Sequence, residues 1–135
     1  PMQWDDSANA GFTAGTPWLK VNPNYPHLNV AQQERDEHSV LNYYKRLLAL
    51  RKSEGYRELF TYGDFTPLFE TEENILAYRR NLEGKDVIVV ANFGRVECCL
   101  RNDMFRNRKV LLSNENVILK DDTLKLQTAQ GVVLA

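Results

Sequence analysis

From Glu58 onward, short runs of aliphatic, β-branched and aromatic residues alternate with turn residues at intervals of about eight to twelve positions. Turn signals such as Gly63-Asp64, Glu83-Gly84-Lys85 and Asn114-Glu115-Asn116 separate these runs. Short strands at this spacing, with no helix between them, are typical of an antiparallel sandwich. The predicted strands are residues 59–62, 65–70, 75–82, 86–93, 97–100, 109–113, 117–119, 124–127 and 132–135.

Two details sharpen the predicted sheet. Leu82-Glu83-Gly84-Lys85-Asp86 is the strongest signal for a hairpin connection. The following run, Val87-Ile88-Val89-Val90-Ala91, does not alternate with polar residues, which predicts a central strand buried on both faces.

Residues 38–53 carry the one strong helical pattern. Asp36 or Ser39 can cap its start, and Gly55 stands just past its end. The apolar residues cover about half of the helix circumference, which predicts packing against two neighbours. They are Val40, Leu41, Tyr43, Tyr44, Leu47, Leu48 and Leu50.

The first thirty residues contain too many prolines, glycines and asparagines for a regular element. The same stretch nevertheless carries Trp4, Phe12, Trp18 and Tyr25, which a solvated linker would not normally contain. Long irregular loops with such residues are usually functional, so this loop is expected to pack against another surface.

Charge and cysteine content exclude several classes of protein. Seventeen Lys and Arg balance 18 Asp and Glu, for a formal net charge of -1, which predicts no nucleic-acid partner. The longest apolar run, residues 87–91, is too short to cross a membrane. Cys98 and Cys99 are neighbours without metal-ligand spacing, which favours two reduced thiols in a strand and no bound metal. With no signal peptide or glycosylation sequon, a cytoplasmic location is expected.

Catalytic patterns are scarce. His27 and His38 are the only histidines, and no nucleophile elbow, phosphate loop or metal-binding helix motif occurs. Asp5 and Asp6 are adjacent, which does not suit two carboxylates that flank a glycosidic bond. Residue chemistry alone therefore predicts a binding or structural module without catalytic residues or a cofactor.

A resemblance changes this interpretation. The opening run Pro1-Met2-Gln3-Trp4-Asp5-Asp6-Ser7 and the later runs below resemble the segment after the eighth barrel strand in the oligo-1,6-glucosidase group of the α-amylase family. Dextran glucosidases, trehalose-6-phosphate hydrolases and sucrose isomerases share that segment. The later runs are Asn9-Ala10-Gly11-Phe12-Thr13, Pro17-Trp18-Leu19, Val21-Asn22-Pro23-Asn24-Tyr25, Asn29-Val30, Ser39-Val40-Leu41-Asn42-Tyr43-Tyr44, Leu50-Arg51-Lys52, Tyr62-Gly63-Asp64-Phe65 and Val89-Val90-Ala91-Asn92-Phe93.

The resemblance implies a mainly β fold: an antiparallel C-terminal β-sandwich, preceded by an irregular loop and one α-helix of the last (β/α) unit of a TIM barrel. Residues 1–55 would be this incomplete part of the catalytic domain, and residues 56–135 the C-terminal β domain. In that family two aspartates and a glutamate retain anomeric configuration during hydrolysis, and all three lie upstream of the matched segment. The chain is then expected to be the inactive C-terminal fragment of a retaining α-glucosidase for α-1,6- or related α-linked gluco-oligosaccharides.

The resemblance also implies partners and a site. The upstream (β/α)8 barrel of the same polypeptide and the oligosaccharide substrate are the expected partners, and an isolated fragment would self-associate through the uncovered apolar surface. Trp4, Asp5 and Phe12 are candidates for the rim of the active site, where aromatic faces stack on sugars. Loop packing for the aromatics and a turn-forming role for Asp5 are the alternative interpretations. A stand-alone carbohydrate-binding module and a non-catalytic interaction module remain alternatives.

Overall fold

Eight antiparallel strands build two sheets in the second part of the chain. The computed structural model describes residues 1–135 and divides into two compact units, Pro1–Arg46 and Leu47–Ala135. The helices are α1 (Val30–Arg35), α2 (Val40–Lys52) and α3 (Arg57–Tyr62). The strands are β1 (Asp64–Leu68), β2 (Ile75–Leu82), β3 (Lys85–Asn92), β4 (Cys98–Arg101), β5 (Val110–Ser113), β6 (Ile118–Lys120), β7 (Thr123–Leu126) and β8 (Gln130–Leu134).

The second unit is an antiparallel sandwich, as predicted. A five-stranded sheet has the order β1-β2-β3-β8-β5, and a three-stranded sheet has the order β4-β7-β6. Alternating apolar side chains from both sheets meet in one core, because successive residues of a strand point to opposite faces. The core residues are Ala77, Ile88, Val90, Leu100, Phe105, Leu124, Leu126, Val132 and Leu134.

The predicted hairpin and the central position of β3 are confirmed, whereas burial on both faces is incomplete because Val89 and Ala91 are half-buried. Strands β2 and β3 pair from Ile75↔Asn92 to Leu82↔Lys85, and both Glu83 and Gly84 have positive φ in the connecting turn. This turn geometry matches the right-handed twist of the two strands. Strand β3 lies between β2 and β8, so its apolar run is paired on both sides.

The prediction of a strand at residues 59–62 is wrong, because these residues belong to α3. Phe60 N donates to Tyr56 O at 2.9 Å, and Gly63 N donates to Leu59 O at 3.1 Å. Leu59 is 2% exposed, and the rings of Tyr56 and Phe60 are 6.2 Å apart. Contacts one helical turn apart therefore outweigh the strand preference of the Phe-Thr-Tyr sequence.

The predicted helix at residues 38–53 is confirmed as α2. Ser39 caps its start, since Ser39 Oγ accepts a hydrogen bond from Asn42 N at 3.2 Å. The structure adds the short helix α1, which Asn29 caps by accepting from Gln32 N at 2.9 Å. No helix combines the length and apolar character that a membrane crossing requires.

Both cysteines lie in β4, which confirms the predicted strand placement, and no disulfide links them. Cys98 is half-buried beside the core and Cys99 is exposed, which is the alternation expected of neighbours on a strand. Burial raises the pKa of the Cys98 thiol above its ordinary value. The raised pKa favours the protonated thiol, which is less reactive than a thiolate.

Candidate functional site

The first twelve residues of the chain fold into a closed loop. Ala10 O accepts hydrogen bonds from Trp4 N at 2.9 Å and from Asp5 N at 3.3 Å. Ala10 N in turn donates to Ser7 O at 2.9 Å. These bonds place Trp4 and Asp5 beside residues 10–12, so the structure brings all three predicted site residues into one small loop.

A left-handed turn forms the far side of this loop. Asn9, Ala10 and Gly11 have φ values of 55°, 58° and 64° in succession. Asn9 Nδ2 donates to Thr13 O at 3.2 Å and to Gly15 O at 3.0 Å, which ties the turn to the residues that follow it. Left-handed backbone is unfavourable for alanine, and Ala10 is fully buried, so the surrounding contacts must hold it there.

The Asp5 carboxylate is fixed in this loop as a hydrogen-bond acceptor. Its Oδ1 accepts from Ser7 N at 2.9 Å and from Ser7 Oγ at 2.5 Å. The Ser7 hydroxyl and then the Ser7 amide favour the charged form, and they lower the pKa of Asp5 below its ordinary value. Asp5 is therefore an ionised acceptor, and a general acid at neutral pH needs the opposite shift.

Aromatic side chains around the loop are open to solvent. Trp4 is 50% exposed and Phe12 is 37% exposed, and further along the loop Trp18 is 79% exposed. Exposed aromatic rings beside an ionised acceptor provide both elements of a sugar contact, a flat apolar face and a hydrogen-bond partner. The assignment of Trp4, Asp5 and Phe12 to a substrate rim stays a prediction.

Gln3, which the sequence did not single out, anchors the loop to α1 together with the Trp4 carbonyl. Gln3 O accepts from Val30 N, and Trp4 O accepts from Ala31 N, both at 3.0 Å. The side chain of Gln3 donates to Asn24 Oδ1 at 3.0 Å and to Leu28 O at 2.5 Å. Two free N–H groups at the helix start thus find partners in the loop. The only sequence signal for this arrangement is the capping asparagine that precedes Val30.

An apolar cavity of about 250 Å³ adjoins the loop and opens to solvent. Its walls are mostly apolar, so it suits a hydrophobic occupant. The lining residues are Met2, Val30, Gln33, Val40, Leu41 and Tyr44.

No group of three or more His, Cys, Asp or Glu side chains in the chain is arranged to hold a metal ion. Strong ion pairs occur instead in the sandwich, where Arg108 and Arg79 both contact Asp86. These pairs join strands and loops of the sandwich. The loop of residues 1–12 is the candidate site, because it holds an ionised acceptor beside exposed aromatic rings.

Comparisons of sequence and of structure relate the chain to the same group of proteins. Residues 1–63 match the family model described as "Alpha amylase, catalytic domain". The chain is 42% identical over 120 residues to an oligo-1,6-glucosidase of Parageobacillus thermoglucosidasius, which covers 87% of this chain and 21% of that protein. It is 40% identical over 95 residues to a trehalose-6-phosphate hydrolase of Escherichia coli, which covers 70% of this chain and 17% of that protein.

Solved structures superpose on nearly the whole chain. The trehalose-6-phosphate hydrolase of Bacillus licheniformis superposes with a TM-score of 0.88 at 31% identity, over 99% of this chain and 25% of that one. The isomaltulose synthase of Erwinia rhapontici superposes with a TM-score of 0.86 at 36% identity, over 99% of this chain and 24% of that one. The chain thus spans about a fifth to a quarter of the length of these relatives.

Proposed function

Because the chain belongs to the α-amylase family, we propose that it is the C-terminal part of a retaining α-glucosidase that hydrolyses α-1,6- or related α-linked gluco-oligosaccharides. The observation that carries the proposal is the 42% identity to an oligo-1,6-glucosidase over 120 residues, together with a structural match over 99% of the chain. Such agreement extends through both the loop and the sandwich, which a shared sugar-binding motif alone would not require.

In this proposal the chain itself is not catalytic. Residues 1–55 form the last loop and helix of a (β/α)8 barrel, and residues 56–135 form the C-terminal β domain. The match of residues 1–63 to a catalytic-domain model supports this division. The chain contributes one wall of the active site and stabilises the barrel, while the three catalytic carboxylates belong to the barrel strands.

Trp4, Asp5 and Phe12 then lie at the rim of the active site. The half-exposed Trp4 ring presents a flat face for a pyranose, and the ionised Asp5 carboxylate accepts hydrogen bonds from sugar hydroxyls. Loops on this face of a barrel supply the substrate contacts, which supports the assignment. Packing of Phe12 against the loop remains the alternative role for that ring.

The proposed partners are the barrel of the same polypeptide and the oligosaccharide. The apolar cavity beside Val40 and Tyr44 supports the first, because these side chains are 77% and 58% exposed. A barrel would remove them from water. In an isolated chain, a second copy of the chain covers this apolar surface around Val40 and Tyr44.

We also propose a reducing, cytoplasmic location, which the free thiols of Cys98 and Cys99 support. Alkylation of the protein in freshly lysed cells tests this location. Labelling of exposed Cys99 without prior reduction is the expected result, and a thiol that reacts only after reduction contradicts it.

A hybrid enzyme tests the proposed function. This chain replaces the homologous fifth of the Parageobacillus thermoglucosidasius oligo-1,6-glucosidase, and hydrolysis of isomaltose is measured. The hybrid is expected to hydrolyse isomaltose, whereas the enzyme truncated before this segment and the isolated chain are expected to be inactive. Circular dichroism and thermal unfolding of each protein show which of them are folded.

A folded hybrid without hydrolytic activity contradicts the proposed function. The stand-alone carbohydrate-binding alternative predicts a different result, namely a change in tryptophan fluorescence when isomaltose is added to the isolated chain. Trp4 and Trp18 are exposed enough to report such binding. Replacement of Trp18 by phenylalanine isolates the fluorescence signal of Trp4.

A further inference from the structure

We propose that Asn9 and Gly11 are positioning residues for the sugar contact: Gly11 acts on the Asp5 carboxylate, and Asn9 acts on the turn that holds Asp5 and Trp4. The inference rests on the proposed function, because it concerns the same rim of the active site. It assigns a role to the left-handed turn at Asn9, Ala10 and Gly11.

Gly11 leaves the space that the Asp5 carboxylate occupies. A Cβ built on Gly11 would lie 2.7 Å from both carboxylate oxygens of Asp5 and 2.8 Å from its Cγ. Those distances are far inside van der Waals contact, and the Gly11 φ of 64° independently disfavours a side chain. Any side chain at this position must therefore push the Asp5 carboxylate away or open the turn.

Asn9 holds the turn from its other side. Asparagine tolerates a left-handed backbone better than most residues, and its side-chain amide reaches two carbonyl groups, those of Thr13 and Gly15. The direction of the Ala10 carbonyl follows from this backbone conformation. That carbonyl accepts the N–H groups of both Trp4 and Asp5, so the turn sets the position of both residues.

The fixed carboxylate has one oxygen available for a ligand. Oδ1 of Asp5 is occupied by the amide and the hydroxyl of Ser7, whereas Oδ2 accepts no hydrogen bond from the protein. A hydroxyl group that donates to Oδ2 forms a charge-assisted hydrogen bond, which is stronger and more directional than a neutral one. The half-exposed ring of Trp4 precedes this carboxylate in the chain and provides the apolar face.

The positioning role is tested first in the chain itself, without any assay of activity. The pKa of the Asp5 carboxyl is measured by NMR in the wild type and in Gly11→Ala. The wild-type value is expected below the ordinary range, and Gly11→Ala is expected to raise it, because displacement of the carboxylate breaks the contacts with Ser7. Gly15→Ala is the matched control, since its Cβ would meet only Thr13 Oγ1 at 3.7 Å.

Asn9→Ala provides a second variant if Gly11→Ala fails to fold. It removes the two bonds to Thr13 and Gly15 without adding bulk, and the pKa of Asp5 is expected to rise as well. An unchanged pKa of Asp5 in folded Gly11→Ala, or in Asn9→Ala, overturns the positioning role whatever the hybrid enzyme does.

Kinetics of the hybrid enzyme then test the consequence for the sugar. Asp5→Ala and Gly11→Ala are each expected to raise the KM for isomaltose about tenfold with kcat within about twofold, the pattern of a lost binding contact. The double variant is expected to match Asp5→Ala, because Gly11 acts through Asp5. Gly15→Ala is expected to leave both constants unchanged.

The outcomes separate this inference from the proposed function. An active hybrid in which Asp5→Ala leaves KM unchanged overturns the inference, while the proposed function stands. Additive effects of Gly11→Ala and Asp5→Ala also overturn it, because they indicate a general loss of structure. A folded but inactive hybrid overturns the proposed function, and the NMR measurement still decides the positioning role.

Discussion

The guanidinium group of Arg108 contacts both carboxylate oxygens of Asp86, with Nη1 2.6 Å from Oδ1 and Nη2 2.8 Å from Oδ2. Arg79 Nε approaches Oδ2 of the same carboxylate, and Arg108 Nε donates to Met104 O at 2.9 Å. The Arg108 and Asp86 side chains are only 17% and 12% exposed. This two-pronged pair joins the start of β3 to the segment that leads into β5.

Asp86→Ala is expected to lower the free energy of unfolding by about 2 kcal/mol, because it leaves a largely buried guanidinium without its partner. Urea unfolding followed by circular dichroism measures the change. Asp103→Ala is the control, since the Asp103 side chain is 84% exposed and its pair with Arg106 is worth about 0.5 kcal/mol or less. Equal losses of unfolding free energy in Asp86→Ala and Asp103→Ala would show that burial does not strengthen the pair of Arg108 with Asp86.

Stability is expected to fall as the pH drops below the ordinary carboxyl pKa of 3.8. Hydrogen bonds from Arg108 lower the pKa of Asp86 in the folded chain, so the unfolded chain binds the proton more tightly. The stabilisation is complete above the unfolded pKa and is lost as the pH falls through the folded pKa. Thermal unfolding between neutral and acidic pH should show a shallower decline for Asp86→Asn than for the wild type. A decline of the same steepness in both proteins would assign the acid sensitivity to other carboxyl groups.

Substitution of Gln130 is expected to lower the free energy of unfolding more than substitution of most other polar residues of the sandwich. Gln130 is 1% exposed, its Oε1 accepts from Gln127 N at 2.7 Å, and its Nε2 donates to Glu115 O at 3.1 Å and Asn116 O at 3.2 Å. Gln130→Met keeps the approximate volume and removes these bonds, with an expected loss of about 2–3 kcal/mol in urea unfolding. Gln127→Met is the matched control, because that side chain is exposed and a change within about 0.5 kcal/mol is expected. A loss below about 1 kcal/mol for Gln130→Met would mean that water replaces the missing bonds.

The isolated chain is expected to self-associate through the surface around Val40 and Tyr44. These side chains are 77% and 58% exposed and border the apolar cavity of the first unit. Sedimentation velocity over a wide concentration range should show association that Val40→Lys combined with Tyr44→Lys abolishes. Ile118→Lys, at a 54% exposed position of β6, should leave it unchanged. A monomer at every concentration would contradict the expectation.

The strands were predictable because their signals are local. The apolar run of β3 and the turn at Glu83-Gly84 specify a hairpin without knowledge of any distant contact. Helix α3 could not be predicted in the same way. Its sequence favours a strand, and the deciding contacts, between Tyr56 and Phe60 and at the buried Leu59, depend on the helical conformation itself.

The geometry of the candidate site could not be predicted from the sequence. The motif singles out Trp4, Asp5 and Phe12, yet nothing in it requires Ala10 to adopt a left-handed backbone. The close approach of the Asp5 carboxylate to Gly11 follows from three successive left-handed residues, which only asparagine and glycine signal from sequence. The bond from Ala31 N to Trp4 O links residues 27 positions apart in the chain, beyond the reach of local patterns.

Strand β8 occupies an interior place in the five-stranded sheet, between β3 and β5. Its pairing partners in β3, residues 88–92, precede it by about forty positions. On the ribosome these residues emerge long before residues 130–134 do, and no ladder can form on that side of β3 in the interval. Because such long-range pairing is slow, we expect the sandwich to fold only after release of β8 from the exit tunnel. During synthesis, the apolar run of β3 is therefore expected to stay unpaired on one side, which exposes it to aggregation until β8 is available.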